Sequence, residues 1–322
     1  MLAASVAAIL YNIYSPSVYS AVEPDLNPDI FADDNDISYV GNLVNTFPDN
    51  IFGPFIEGKV LSVLFVALLF GAAINHIQKG RAIDTIVNFF NALQQMLFVI
   101  VNWLIKILPI GIFGFITQCV AEFKTGVDLK GLGGYFATVI TANLVQMFVV
   151  LPLFLLCKKL NPLKVFKGMM TALTVAFFSK SSAATLPVTL ASAEQNVKVN
   201  PRVSRFVLPI CTTINMNGCA AFILVTSLFV MQNSGMELTM GSMISWLFVA
   251  VLAAIGNAGV PMGCYFLTLS LMSSVGASIG IMGVILPIYT IIDMIETAEN
   301  VWSDSCVCAM TNKDLKGVLE ED

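Results

Sequence analysis

Asp293, Glu296, Thr297, Asn300 and Asp304 recur at offsets of three and four in an apolar run that begins near Ile279. At about 100° per residue they share one face of a helix, while Ile292, Ile295 and Val301 form an opposite, greasy face. Carboxylates are costly at membrane depth, so such a stripe is kept where it faces a bundle interior or a water-filled cavity. The chemistry on offer is binding of polar or charged ligands in a buried, wet site.

Three further motifs interrupt apolar segments. Ser179-Lys180-Ser181-Ser182-Ala183-Ala184-Thr185-Leu186-Pro187 lies between two short apolar stretches. Its hydroxyls, small residues and proline allow a sharp turn that exposes amides, which would bind a carboxylate at the tip of a re-entrant hairpin; an ordinary polar loop is the alternative. Ile214-Asn215-Met216-Asn217-Gly218-Cys219 sits at the centre of the Phe206–Met231 run. Gly218 and its asparagines favour local unwinding, and unwound carbonyls suit a hard cation such as sodium. A hydrogen-bonded helix–helix contact explains the same residues equally well. Gly256-Asn257-Ala258-Gly259-Val260-Pro261 again separates two half-length pieces.

The elements that must position these groups follow from hydropathy. Of 322 residues, 57% are hydrophobic and 11% charged, and the mean hydropathy is +0.83, far from a soluble domain. Runs of membrane-crossing length are Val60–Ile74 (extended on both sides), Ile86–Ile116, Gly133–Cys157, Phe206–Met231 and Ile279–Ile295. Val165–Phe178, Ala183–Leu190, Met243–Ile255 and Cys264–Met272 are too short to span alone and read as limbs of hairpins. The halves Leu163–Met231 and Gly241–Asp304 thus share one plan: short helix, small-residue tip, short helix, polar-bearing span. With one hairpin entering from each side, this is an inverted repeat.

Lys and Arg placement sets the orientation. Ser15–Asn50 carries seven acids and no base and reads as external, whereas Lys79, Arg81, Lys158, Lys159, Lys164, Lys167, Lys198, Arg202, Arg205, Lys313 and Lys316 fall on the cytoplasmic side. Lys124 and Lys130 are exceptions, in a short outer loop. A net charge of −5 argues against a nucleic-acid partner. The seven cysteines lie mostly in apolar runs and read as buried thiols, and the lone His76 cannot build a zinc site. No nucleophile–base pair or metal cluster marks an enzyme, and Met1–Tyr14 lacks the basic lead of a cleavable signal.

FFSKSSAATLPVTL, PICTTINMNGCAAF, GNAGVPMG and D-x-x-E-T-x-x-N-x-x-x-D, in that order, resemble the dicarboxylate/amino acid:cation symporters over roughly Asn50–Lys313. Lys106–Ile116 (KILPIGIFGFI) resembles the end of that family's fifth span. The resemblance implies an all-α polytopic membrane protein of the glutamate-transporter fold, with two re-entrant helical hairpins and discontinuous helices. It implies a homotrimer in the plasma (inner) membrane whose substrate domain moves like an elevator. Sodium ions are the coupling ions, and there is no cofactor. The segments implied are 1–14, a remnant of the third span; 15–53, the external loop; 54–132, scaffold-type spans and loop; 133–162, the sixth-span equivalent; 163–232, the cytoplasmic hairpin and broken span; 239–312, the outer hairpin gate and final span; and 313–322, the tail.

It also implies roles. The substrate set is Ser181, Ser182, Met216, Cys219, Val260, Pro261, Asp293, Glu296, Thr297 and Asn300. Within it Asp293 holds the substrate ammonium, while Asn300, Ser182 and the tip amides contact its carboxylate. Asp304 belongs to a sodium site shared with Asn215 and with carbonyls near Cys211 and Asn300; a second sodium lies near carbonyls of Thr213, Met216, Ala254 and Ile255. Gly259, Val260 and Pro261 form the tip of the gate.

Departures from the family refine the expectation. Members that carry acidic substrates have an Arg where this chain has Glu296, and a Thr where it has Cys219. A glutamate there repels a second substrate carboxylate and resembles the sodium/serine-threonine branch, so small neutral amino acids are expected. Asn217 replaces an Asp of a third sodium site, and Tyr289 replaces a common acid, so two coupled sodium ions are expected. The first two family spans and most of the third are expected to be absent before Ser15. The alternatives are an acidic amino acid or dicarboxylate symporter (sodium or proton coupled), an uncoupled anion-channel-like protein, and a non-transporting truncated homologue.

Overall fold

The computed structural model describes residues 1–17, 48, 50–57, 60–77, 80–124, 130–257, 260 and 262–316. Every regular element among them is helical: α1 (Leu2–Tyr14), α2 (Gly53–Glu57), α3 (Val60–His76), α4 (Arg81–Lys124) and α5 (Lys130–Val145). Helix α5 continues through a π-turn, Gln146–Val150, into α6 (Leu151–Cys157). Then come α7 (Pro162–Ser179), α8 (Ser182–Ser192, extended by a π-turn at Ala193–Val197), α9 (Pro201–Ile214) and α10 (Asn217–Asn233). The chain ends with α11 (Met240–Gly256), α12 (Gly263–Ser274) and α13 (Gly280–Asp314). Among the described residues, Gly131–Cys157, Pro201–Asn233 and Gly280–Asp314 are long and apolar enough to cross a membrane. The exposed Trp103, Ile110 and Phe113 of α4 suit a lipid-facing helix.

Local chemistry sets the helix starts. Asn161 and Asn200 each precede a proline at the first helical position, and each side-chain oxygen accepts a backbone N–H, from Lys164 at 3.2 Å and from Arg202 at 2.9 Å. Thr239 caps α11 by accepting from Ser242 N at 3.1 Å.

The first hairpin reverses within two residues. Lys180 is left-handed (φ 53°), and Ser181 Oγ accepts Ala184 N at 3.2 Å to open α8. Pro187, expected in the tip, lies inside α8 instead; small hydroxyl residues suffice for the turn, and the proline only removes one rung of the helix ladder. Both limbs of the second hairpin, α11 and α12, pack on α10. Residues Ala258, Gly259 and Pro261 of its tip lie outside the described residues.

The Ile214–Cys219 motif is unwound as expected, the break falling at its asparagine end, Asn215–Met216 (φ/ψ −101/61 and −96/68). Gly218 is helical, and its smallness serves packing. A Cβ there would stand 2.7 Å from Glu299 Oε2, 2.9 Å from Asn143 Oδ1 and 2.9 Å from Glu296 Cα. The core has two parts. One surrounds α10, which is apolar and buried all round and packs against α1, α5, α11, α12 and α13. The other joins α7, α9 and α13 around Trp302, whose Nε1 donates to Met147 O (2.9 Å) in the π-turn. Helix α13 belongs to both, so its polar stripe is enclosed on several sides.

Candidate functional site

The hairpin tips, the broken span and the stripe of α13 meet in one cavity of about 30 Å³, room for about one water. From the first tip come Lys180, Ser181 and Ser182; from the break and α10, Met216 and Cys219; from the second hairpin, Asn257, Val260, Gly263 and Cys264; from α13, Asp293, Thr297 and Asn300. The cavity therefore gathers Ser181, Ser182, Met216, Cys219, Val260, Asp293, Thr297 and Asn300 from four places in the chain. Pro261 lies outside the described residues.

Helix geometry explains the α13 contribution. Thr297 Oγ1 donates to Asp293 O at 2.8 Å, one turn back. Asp293 is buried and lines the cavity, and its Oδ2 has no hydrogen-bond partner. Asn300 Oδ1 accepts Gly218 N at 2.9 Å, and its Nδ2 points at Cys219 Sγ, 3.5 Å away. Glu296 is not among the cavity walls. It lies directly behind them, its carboxylate and the sulfurs of Cys219 and Cys264 all within 4.8 Å of one another. Both of its oxygens are buried without a hydrogen-bond partner.

The break is stapled to α13 one turn beyond the cavity. Asn215 Nδ2 donates to Ser303 Oγ and to Asp304 Oδ1, both at 2.9 Å, and Asn217 Nδ2 donates to Ser303 Oγ at 2.6 Å. Asp304 is buried, and Cys211 O already accepts Asn215 N at 2.8 Å. The structure thus brings Asn215, Asp304 and the carbonyl of Cys211 together beside Asn300. Of the other expected sodium neighbours, Met216 O accepts Ala220 N at 3.0 Å, and Ala254 O accepts Asn257 N at 3.4 Å. Thr213 is exposed, its hydroxyl donating to Ile210 O at 2.7 Å, and Ile255 is 38% exposed. Helix α9, which carries Thr213, and α11, which carries Ala254 and Ile255, are packed against each other.

Several residues of the site carried no role in the sequence. Lys180, Asn257, Gly263 and Cys264 line the cavity; Lys180 and Asn257 lie inside motifs already singled out, where a base or an amide at a tip is the available signal. Glu299 is the larger omission. It stands among Ile292 and Ile295 on the face expected to be greasy, yet it is fully buried with both oxygens unpartnered.

The sequence matches those of known proteins. Residues 1–314 match the sodium:dicarboxylate symporter family. The chain is 34% identical over 274 residues to excitatory amino acid transporter 3 of Mus musculus, covering 84% of this chain and 52% of that protein. It is 33% identical over 257 residues to neutral amino acid transporter A of Bos taurus (79% and 48%) and 31% identical over 260 residues to neutral amino acid transporter B(0) of Rattus norvegicus (78% and 46%). It spans about half the length of these relatives. On fold, motifs and extent of match, the chain belongs to the sodium:dicarboxylate symporter family, a family of helical membrane transporters.

Proposed function

We propose that the chain serves sodium-coupled symport of small neutral amino acids, serine and threonine first, as one subunit of a homotrimer whose substrate domain moves like an elevator. The observation that carries the substrate assignment is Glu296, a buried carboxylate with no cation partner directly behind the cavity wall. A second carboxylate on the substrate would meet like charge in a dry site, whereas a substrate hydroxyl would donate to it. Asp293 takes the ammonium; Asn300 and the tip residues Ser181 and Ser182 take the carboxylate, with Lys180 adding positive charge from the same tip. Asp304 and Asn215 hold one sodium; the carbonyls near Thr213, Met216, Ala254 and Ile255 hold another. The present cavity is too small for an amino acid, which supports a gate: the Val260 hairpin lifts to admit substrate and seats again over it.

One observation favours the rival, an acidic substrate: Lys180 lines the cavity and offers a cation where no arginine does. Equilibrium binding of labelled serine to the purified protein, in sodium chloride and competed by aspartate, separates the two. Displacement by threonine and not by aspartate supports the neutral assignment. Strong displacement by aspartate rejects it, and serine binding indifferent to sodium rejects the coupling.

A further inference from the structure

On the side of α13 away from the cavity, a second polar cluster is sealed in the core. Glu299 is 0% exposed, and neither carboxylate oxygen has a partner. Across Gly218 from it, the side-chain oxygen of Asn143 on α5 is buried and equally without a donor, as is that of Gln146, three residues on at the start of the π-turn. Asn143 Nδ2 is occupied by Val139 O at 2.9 Å, which leaves its oxygen as the atom turned toward α10. The Glu299 and Asn143 oxygens converge over Gly218: the position of an added Cβ lies 2.7 Å from Glu299 Oε2 and 2.9 Å from Asn143 Oδ1.

Oxygens that face one another with no donor between them repel, and a buried unpaired carboxylate is among the costliest arrangements a core can hold. The titratable groups around Glu299 add no positive charge: Cys219 on α10, and Glu296, Asp304 and Cys306 on α13 itself. One carboxylate and two amide oxygens make a hard, singly charged ligand set, which suits a monovalent cation better than a soft or doubly charged one. We infer that α5, α10 and α13 enclose a sodium site of their own, with Glu299 as the charged ligand and Asn143 and Gln146 as neutral ones. It is distinct from the Asp304–Asn215 pair, which faces the break. Gly218 is glycine because a methyl group there would occupy the ion's side of the ligands.

The choice of ion rests on the sodium-coupled reading, and the test separates the two. The purified chain is titrated with sodium chloride at constant ionic strength, with choline chloride as balance, and its melting temperature and tryptophan fluorescence are followed. Glu299→Gln and Asn143→Ala are each expected to raise the half-saturating sodium about tenfold or more and to lower the Hill coefficient by about one site. Glu299→Gln is further expected to melt higher than the unaltered protein in choline alone, since the unpaired charge is gone. Asp304→Asn is expected to remove a separate component of the response. Asn143→Ala keeps the carboxylate, so the site is still tested if Glu299→Gln folds poorly. Unaltered sodium titrations in both variants, with loss of response in Asp304→Asn, would overturn this site and leave the symport reading standing. Equal responses to potassium would overturn the choice of ion, and a protein indifferent to sodium in every form would overturn both readings.

Discussion

Glu296 and Glu299 are neighbours on α13, one turn apart and both buried without a partner, but they serve different places. Glu296 backs the cavity beside Cys219 and Cys264; Glu299 faces Asn143 over Gly218. If Glu296 selects the substrate, Glu296→Arg is expected to lower serine affinity by about tenfold or more, on the order of 1.4 kcal/mol, and to admit aspartate. Competition binding checks this, and unchanged serine affinity rejects the role. Gly218→Ala is expected to cost about 1–3 kcal/mol, because the added methyl meets backbone and two short side chains that cannot all move away. Thermal unfolding in detergent measures it; a melting temperature equal to that of the unaltered protein would contradict the close packing. The stripe from Asp293 to Asp304 was legible in the sequence because its period matched a helix against an apolar background. Glu299 was not, because it falls off that period and only the approach of α5 and α10 makes its position polar.

At the scale of elements, the two hairpins and the broken span were legible from apolar runs too short to cross a bilayer and from the small residues between them. The details were not. The Ile214–Cys219 motif read as unwound and does break, at Asn215–Met216, where amides can reach Ser303 and Asp304, but the packing role of the helical Gly218 was not visible. Sequence shows that a glycine is required but not whether φ or close approach requires it. The π-turn at Gln146–Val150 left no mark in the sequence, yet it supplies the carbonyl that Trp302 Nε1 bonds. Trp302→Phe keeps most of the ring packing against Phe166, whose centroid lies 5.1 Å away, but leaves Met147 O without that donor. The expected loss is about 1–3 kcal/mol, read as a lower melting temperature; no change would mean the carbonyl finds another donor. At the hairpin entrance, Asn161→Ala removes the cap of α7 and is expected to cost about 1 kcal/mol by the same measurement.

At the scale of the molecule, α13 ties the two cores together, and the cavity lies against it, lined by residues of both hairpins and of α10. The chain's match to its relatives covers about half of their length, and every residue proposed for substrate or sodium lies within the family match over residues 1–314. Coupling is the central claim, and uptake of labelled serine into proteoliposomes tests it most directly. Under an inward sodium gradient, serine is expected to accumulate above its external concentration and to leave when the gradient is collapsed. Uptake that proceeds equally with choline in place of sodium would contradict the account.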